Sequence, residues 1–248
     1  MKNKPKKEEH KVGNRIFWAG DSTVKTNKIT TYPQTGIGQA LYLYLKDEYE
    51  VCNFAENGRS TKSFMDEGRL DAIDKRIGKE DFFFIQFGHN DEKIEDKARY
   101  TDIPAYQSNL KKYVDVARKQ EAYPVLITPL YRRCFGEDGS LKPQIHLGYP
   151  EACKQVAGDL DVPLIDLCES SRLLIQEAGD IQSQKWFMHI PANTYSTYPE
   201  GLTDNTHLQY SGAVVMAGLI ADGLRKLGGR YSELLLESIM NVTKTNIL

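Results

Sequence analysis

The chain alternates between short apolar runs and longer stretches in which apolar residues recur at helical spacing. Arg15–Gly20 (RIFWAG) predicts a first strand, and Ile37, Ala40, Leu41, Tyr44 and Leu45 then fall on one helical face. Glu50–Ala55 predicts a second strand, and Ser60 or Thr61 is placed to cap a helix running toward Ile77. Phe82–Phe87 (FFFIQF) is apolar on both faces, as a strand covered by helices on each side must be. Pro104 suits the start of a helix over Tyr106–Gln120. Val125–Leu130 and Val162–Cys168 predict the fourth and fifth strands, with helices near Glu151–Asp161 and Tyr210–Leu227. Strands separated by helices form βαβ units, so the predicted fold class is α/β: a three-layer α/β/α sandwich around a five-stranded parallel sheet. Ser183–Thr203 shows no clear periodicity and reads as a long polar, aromatic loop of the kind that often carries function.

Neither a linker nor an internal repeat interrupts this pattern. The expected organisation is a solvated tail over residues 1–14 and a single catalytic domain over residues 15–248. At 248 residues the chain can bury a large core without disulfides. Its 32 basic and 34 acidic residues are nearly balanced, which argues against a nucleic-acid or anionic-membrane binder. No apolar run reaches the length of a membrane span. The basic start, Met1–Lys7, is followed by acidic and polar residues instead of the apolar core of an export signal, which predicts a cytoplasmic protein. Cys52, Cys134, Cys153 and Cys168 lack metal-type spacing and read as free thiols.

In parallel α/β sheets, ligands bind beyond the carboxyl ends of the strands. Three polar clusters occupy that rim: Gly20-Asp21-Ser22-Thr23 after the first strand, Glu56-Asn57-Gly58-Arg59-Ser60 after the second, and Gly88-His89-Asn90-Asp91 after the third. Ser22 offers a hydroxyl at a strand-to-loop turn. His207 offers a base, and Asp204, three residues earlier, can hold its tautomer. The backbone N–H groups of Ser22 and Gly58 and the side-chain amide of Asn90 can face a developing oxyanion. Each feature alone also fits a bland role: a capping serine, a surface Asp-His pair, ordinary turn residues. The chemistry uses neither a metal ion nor an organic cofactor.

Taken in order, Gly20-Asp21-Ser22-Thr23, Asn57-Gly58-Arg59-Ser60-Thr61, Phe87-Gly88-His89-Asn90-Asp91 and Asp204-Asn205-Thr206-His207 resemble the sequence blocks of the SGNH (GDSL-like) hydrolases. In their fuller form they are similar to the rhamnogalacturonan acetylesterases. The resemblance implies a flavodoxin-like fold, Ser22 as nucleophile, His207 as base, Asp204 as its orienting acid, and an oxyanion hole from Ser22, Gly58 and Asn90. It further implies a serine esterase that removes acetyl groups from pectic rhamnogalacturonan through an acyl-enzyme. A cytoplasmic member is expected to act on imported acetylated oligosaccharides.

The same triad also serves other esters, such as other acetylated glycans, lysophospholipids or thioesters. A non-catalytic carbohydrate-binding module is the alternative outside enzymes. No G-x-S-x-G nucleophile elbow, dinucleotide fingerprint or phosphate-binding loop occurs, and the metal-ligand patterns of a two-metal phosphoesterase are missing. Arg59 is expected to buttress its loop in a salt bridge, and Asp91 to stabilise the turn that aims Asn90. His89 is expected either to shape the pocket or to make a structural hydrogen bond. Trp186, His189, Tyr195 and Tyr198 are expected to pack the long loop down. No role is assigned to His146, Arg132 or Arg133, and no substrate-binding residue is named.

Overall fold

A computed structural model of the chain describes residues 14–240. The expected tail therefore falls, but for Asn14, outside the described residues, as does the end of the C-terminal stretch. Five parallel strands form the central sheet: β1 (Arg15–Gly20), β2 (Glu50–Asn53), β3 (Phe82–Gln86), β4 (Tyr123–Ile127) and β5 (Leu164–Ile165), in the order β2-β1-β3-β4-β5. This order reverses direction between β1 and β3, and the loops leaving those two strands diverge to open a crevice.

The alternation of side chains along each strand builds two separate cores. Ile16, Trp18, Phe82, Phe84, Val125, Ile127 and Ile165 face one layer of helices. That layer holds α1 (Ile37–Ala40), continued as a 3₁₀ turn over Leu41–Tyr44. Phe17, Ala19, Phe83, Ile85 and Leu126 face the other, built from α2 (Thr61–Asp66), α3 (Arg69–Asp74), α4 (Ile103–Lys119) and α5 (Tyr149–Leu160). α6 (Leu167–Ser183) and α7 (Tyr210–Leu227) complete the first layer. All five residues of β3 are buried, so truncating Phe83 or Phe84 removes about 3–5 kcal/mol of stability.

The helix expected from Ser60 toward Ile77 is two helices, because Gly68 takes a left-handed conformation between them. Ser60 caps the first in a reciprocal capping box with Ser63. The fourth strand starts two residues earlier than expected and the fifth is shorter, its end given over to α6. α6 corresponds to no helix expected from the sequence.

The largest difference concerns the expected long loop over Ser183–Thr203. It contains β6 (Phe187–Ile190), which pairs antiparallel with β7 (Leu202–Leu208) in a separate two-stranded sheet. Four residues are too short a run for hydropathy to distinguish from a loop. Only residues 191–201 form a true loop, and its aromatics are packed down: Tyr195 stacks edge-on against Tyr32, and the Tyr198 hydroxyl donates to the Thr31 carbonyl. Trp186 is buried, and no side chain fits at Gly212, where a Cβ would meet the Trp186 carbonyl at 1.9 Å.

Candidate active site

Ser22 follows β1 in a tight turn whose shape is set by the residue before it. The Asp21 carboxylate is buried and accepts from the backbone N–H of Thr23 at 2.9 Å and from its hydroxyl at 2.8 Å. The Asp21 carbonyl accepts from Val24 and Lys25, closing the turn. Ser22 is left half-buried at its apex. Gly20 is needed here because a Cβ would press on Val24 at 3.0 Å and on the Gln86 carbonyl at 3.1 Å.

The loop after β2 is tied to this turn. Glu56 donates its N–H to the Gly20 carbonyl, and its carboxylate pairs with Lys25. Gly58 sits beside it at φ +73°, a conformation that suits glycine. Neither the Ser22 nor the Gly58 N–H is taken up by a hydrogen bond to the described residues. Asn90, after β3, is buried, and its side-chain amide donates to the Arg59 carbonyl at 3.1 Å, next to Gly58. One amide hydrogen holds the side chain in place, and the second meets no acceptor among the described residues.

Asp204 and His207 both lie on β7. Residues three apart on a regular strand face opposite sides. Here the register breaks: Phe187 pairs with Leu208 but Met188 with Asp204, so Asn205–His207 form a wide bulge. Within it the Asp204 Oδ1 accepts the N–H groups of Thr206 at 2.7 Å and His207 at 3.0 Å. This curls the backbone so that Asp204 Oδ2 lies 2.6 Å from His207 Nδ1, while His207 Nε2 lies 2.9 Å from Ser22 Oγ. Burial pushes the Asp204 carboxyl up, but the His207 hydrogen bond and charge and the two N–H donors outweigh it and bring it down to about 2. It is a carboxylate throughout the range in which an imidazole works as a base.

The remaining candidate residues have structural partners. Arg59 forms a two-point ion pair with Glu67 and donates to the Asn57 carbonyl. The Asp91 Oδ1 accepts from the Thr61 N–H, the Thr61 hydroxyl and the Thr101 hydroxyl, fastening the Asn90 loop to the start of α2. Burial nevertheless pushes Asp91 up to about 7. His89 is buried with Nδ1 3.3 Å from Asp21 Oδ2, and its ring meets His146 edge-on at 4.8 Å. His146 in turn joins Glu92 at 3.1 Å, and Glu92 pairs with Arg132. A cavity of about 700 Å³ lies outside Tyr131, His146, Lys154 and Arg172, and neither Ser22 nor His207 lines it. Burial pushes the thiols of Cys52, Cys153 and Cys168 up to between about 11 and 12, where thiols are unreactive.

Two contacts near the site join residues distant in sequence. The Arg99 guanidinium lies against Gly58, 3.2 Å from where a Cβ would stand. Arg133 is buried and joined to Asn205, between Asp204 and His207. Nothing in a linear pattern links position 99 to 58 or 133 to 205.

The model of the GDSL-like lipase/acylhydrolase family matches residues 16–220, from the start of β1 into α7. The chain belongs to this family. It is 38% identical over 214 residues to the rhamnogalacturonan acetylesterase RhgT of Bacillus subtilis, covering 86% of this chain and 90% of RhgT. It is 39% identical over 218 residues to YesY of the same organism, covering 88% and 95%. Among solved structures, the B. subtilis protein YxiM superposes with a TM-score of 0.76 at 26% identity, over 88% of this chain and 58% of that one.

Proposed function

We propose that the protein is a serine ester hydrolase that removes acetyl groups from rhamnogalacturonan oligosaccharides through a covalent acetyl-enzyme. The observation that carries this reading is the unbroken line of hydrogen bonds from Asp204 through His207 to Ser22, in which Asp204 orients the ring and Nε2 stands within proton-transfer distance of Oγ. The similarity to RhgT along most of both chains supports the substrate class.

With Asp204 accepting from Nδ1–H, the Nε2 lone pair faces Ser22. His207 takes the hydroxyl proton as Oγ attacks the acetyl carbonyl. The carbonyl oxygen becomes an oxyanion among the free N–H groups of Ser22 and Gly58 and the second amide hydrogen of Asn90. The imidazolium, stabilised by Asp204, then protonates the leaving sugar oxygen. Water, deprotonated by the same nitrogen, hydrolyses the acetyl-serine and restores Ser22. Arg99 is paired through Nε with Asp96 at 3.0 Å, and its Nη groups lie at Gly58, placed to donate to a carboxylate of a galacturonate chain.

The test is acetate release from acetylated rhamnogalacturonan oligosaccharides, set beside acetyl-xylan and a lysophospholipid. The first substrate should be turned over fastest. Preference for lysophospholipid would overturn the substrate assignment, and absence of acetate release from every acetylated glycan would overturn the acetylesterase reading.

A further inference from the structure

Arg133 stands in the segment leaving β4 and is only 4% exposed. Its Nε donates to Ser183 Oγ at 3.0 Å, and its Nη1 to Asn205 Oδ1 at 2.8 Å. Its Nη2 donates to both the main-chain carbonyl and the carboxylate of Asp180, next to the break in α6 at Gly179. The backbone N–H of Arg133 donates to the Asn205 carbonyl at 2.9 Å. His189, on β6, adds a 2.7 Å hydrogen bond from Nε2 to the same Asn205 side-chain oxygen. Asn205 is thus held at both of its oxygens, the side-chain one by two donors.

The location matters because Asn205–His207 is the bulge, where the β6–β7 ladder supplies no regular register. The conformation that brings Asp204 and His207 to one side of the strand needs another support. Burying a guanidinium costs several kcal/mol unless its donors are met. Asp180, its single carboxylate partner, is half exposed and could be reached by a surface lysine. Only a planar fork spans α6 and the bulge together.

We propose that Arg133, assisted by His189, is a positioning residue of the reaction: by clamping Asn205 it fixes the bulge that aligns Asp204 and His207 with Ser22. This rests on the reading of Ser22, His207 and Asp204 as the triad. Arg133 touches no reacting atom and acts through Asn205 alone. A misplacement of about 1 Å at a reacting group costs on the order of 10²-fold in rate. Arg133 is buried and all its donor nitrogens are taken by protein groups, so it offers the sugar no contact and the loss belongs in kcat and not in KM.

The experiment uses the full chain with acetylated rhamnogalacturonan oligosaccharides, and compares Arg133→Met, Arg133→Lys, Asn205→Ala and the Arg133→Met/Asn205→Ala double variant. Arg133→Met and Asn205→Ala should each lower kcat about 10²-fold with KM within about threefold of wild type. Arg133→Lys should recover part of the loss. The double variant should be no worse than about threefold below either single one, since both remove the same contact. Arg133→Met with kcat within about threefold of wild type below its melting temperature would overturn the proposal. So would losses that multiply in the double variant. If Arg133→Met does not fold, half-buried Asn205 carries the test, and an unchanged kcat in Asn205→Ala overturns it. Labelling of wild-type Ser22 by a serine-directed phosphonate is run in parallel. No adduct there means the triad reading itself has failed, whereas labelling at the wild-type rate in the Arg133 variants counts against the clamp alone.

Discussion

Replacing Asp204 with asparagine changes one atom, and the geometry dictates how the enzyme must respond. Oδ1 accepts two backbone N–H groups, from Thr206 at 2.7 Å and His207 at 3.0 Å. An asparagine meets both only with its carbonyl oxygen in that place, which turns its NH₂ toward His207 Nδ1. Two N–H donors cannot face each other, so Nδ1 must lose its proton and Nε2 must carry it. A protonated Nε2 cannot accept the Ser22 proton. Flipping the amide restores the tautomer but strands two backbone donors, at about 1–3 kcal/mol each. The productive arrangement is therefore disfavoured by about 2–6 kcal/mol, which corresponds to a kcat lower by between about 30-fold and 10⁴-fold. The assay is steady-state acetate release at neutral pH, with circular dichroism to show that the fold is intact. Proton NMR should show a downfield Nδ1–H resonance in the wild type and none in the variant. A variant that keeps more than about a tenth of wild-type kcat would refute the tautomer argument.

Three other outcomes follow from the same geometry. Asn90→Ala should lower kcat by about 10²–10³-fold in acetate release, and a loss below tenfold would reduce Asn90 to a loop anchor. Asp91 titrates at about 7 in the folded state against 3.8 as its ordinary value. Between these values the folded chain holds a proton that the unfolded chain has released, so this carboxyl lowers stability progressively as pH rises from about 4 to about 7. Relative to wild type, Asp91→Asn should become more stable across that window in urea melts, and a stability difference independent of pH would contradict this. Arg99→Ala should raise KM for the galacturonate-bearing oligosaccharide several-fold with kcat for a neutral acetyl ester unchanged; equal KM values in both proteins would remove Arg99 from substrate binding.

The sheet was legible because both faces of its strands are covered. FFFIQF has no polar face, and all five residues assigned to β3 are buried. Helices amphipathic about one stripe, such as Tyr106–Gln120 and Tyr210–Leu227, were legible for a different reason, since only one face of each is buried and the apolar positions recur at helical spacing. α6 was not, since it begins within the apolar run read as the fifth strand and then breaks at Gly179. The β6–β7 hairpin was hidden by the shortness of β6. The rim loops were legible because three of the four blocks follow strands, where topology alone brings loops together. The spacing of Asp204 and His207 suggested a contact, and the two side chains do meet at 2.6 Å, but through a bulge that only the shifted register of β6 and β7 reveals. Arg133 lies 72 residues before the asparagine it holds, and no local pattern can signal such a contact.

The proposed chemistry requires an acetyl group carried on Ser22. Rapid quenching of the enzyme with acetylated rhamnogalacturonan oligosaccharide, followed by peptide mass mapping, tests it directly. An acetyl adduct should appear on the peptide containing Ser22, and neither adduct nor acetate release in Ser22→Ala. Turnover by Ser22→Ala at the wild-type rate, or an adduct confined to another residue, would contradict it.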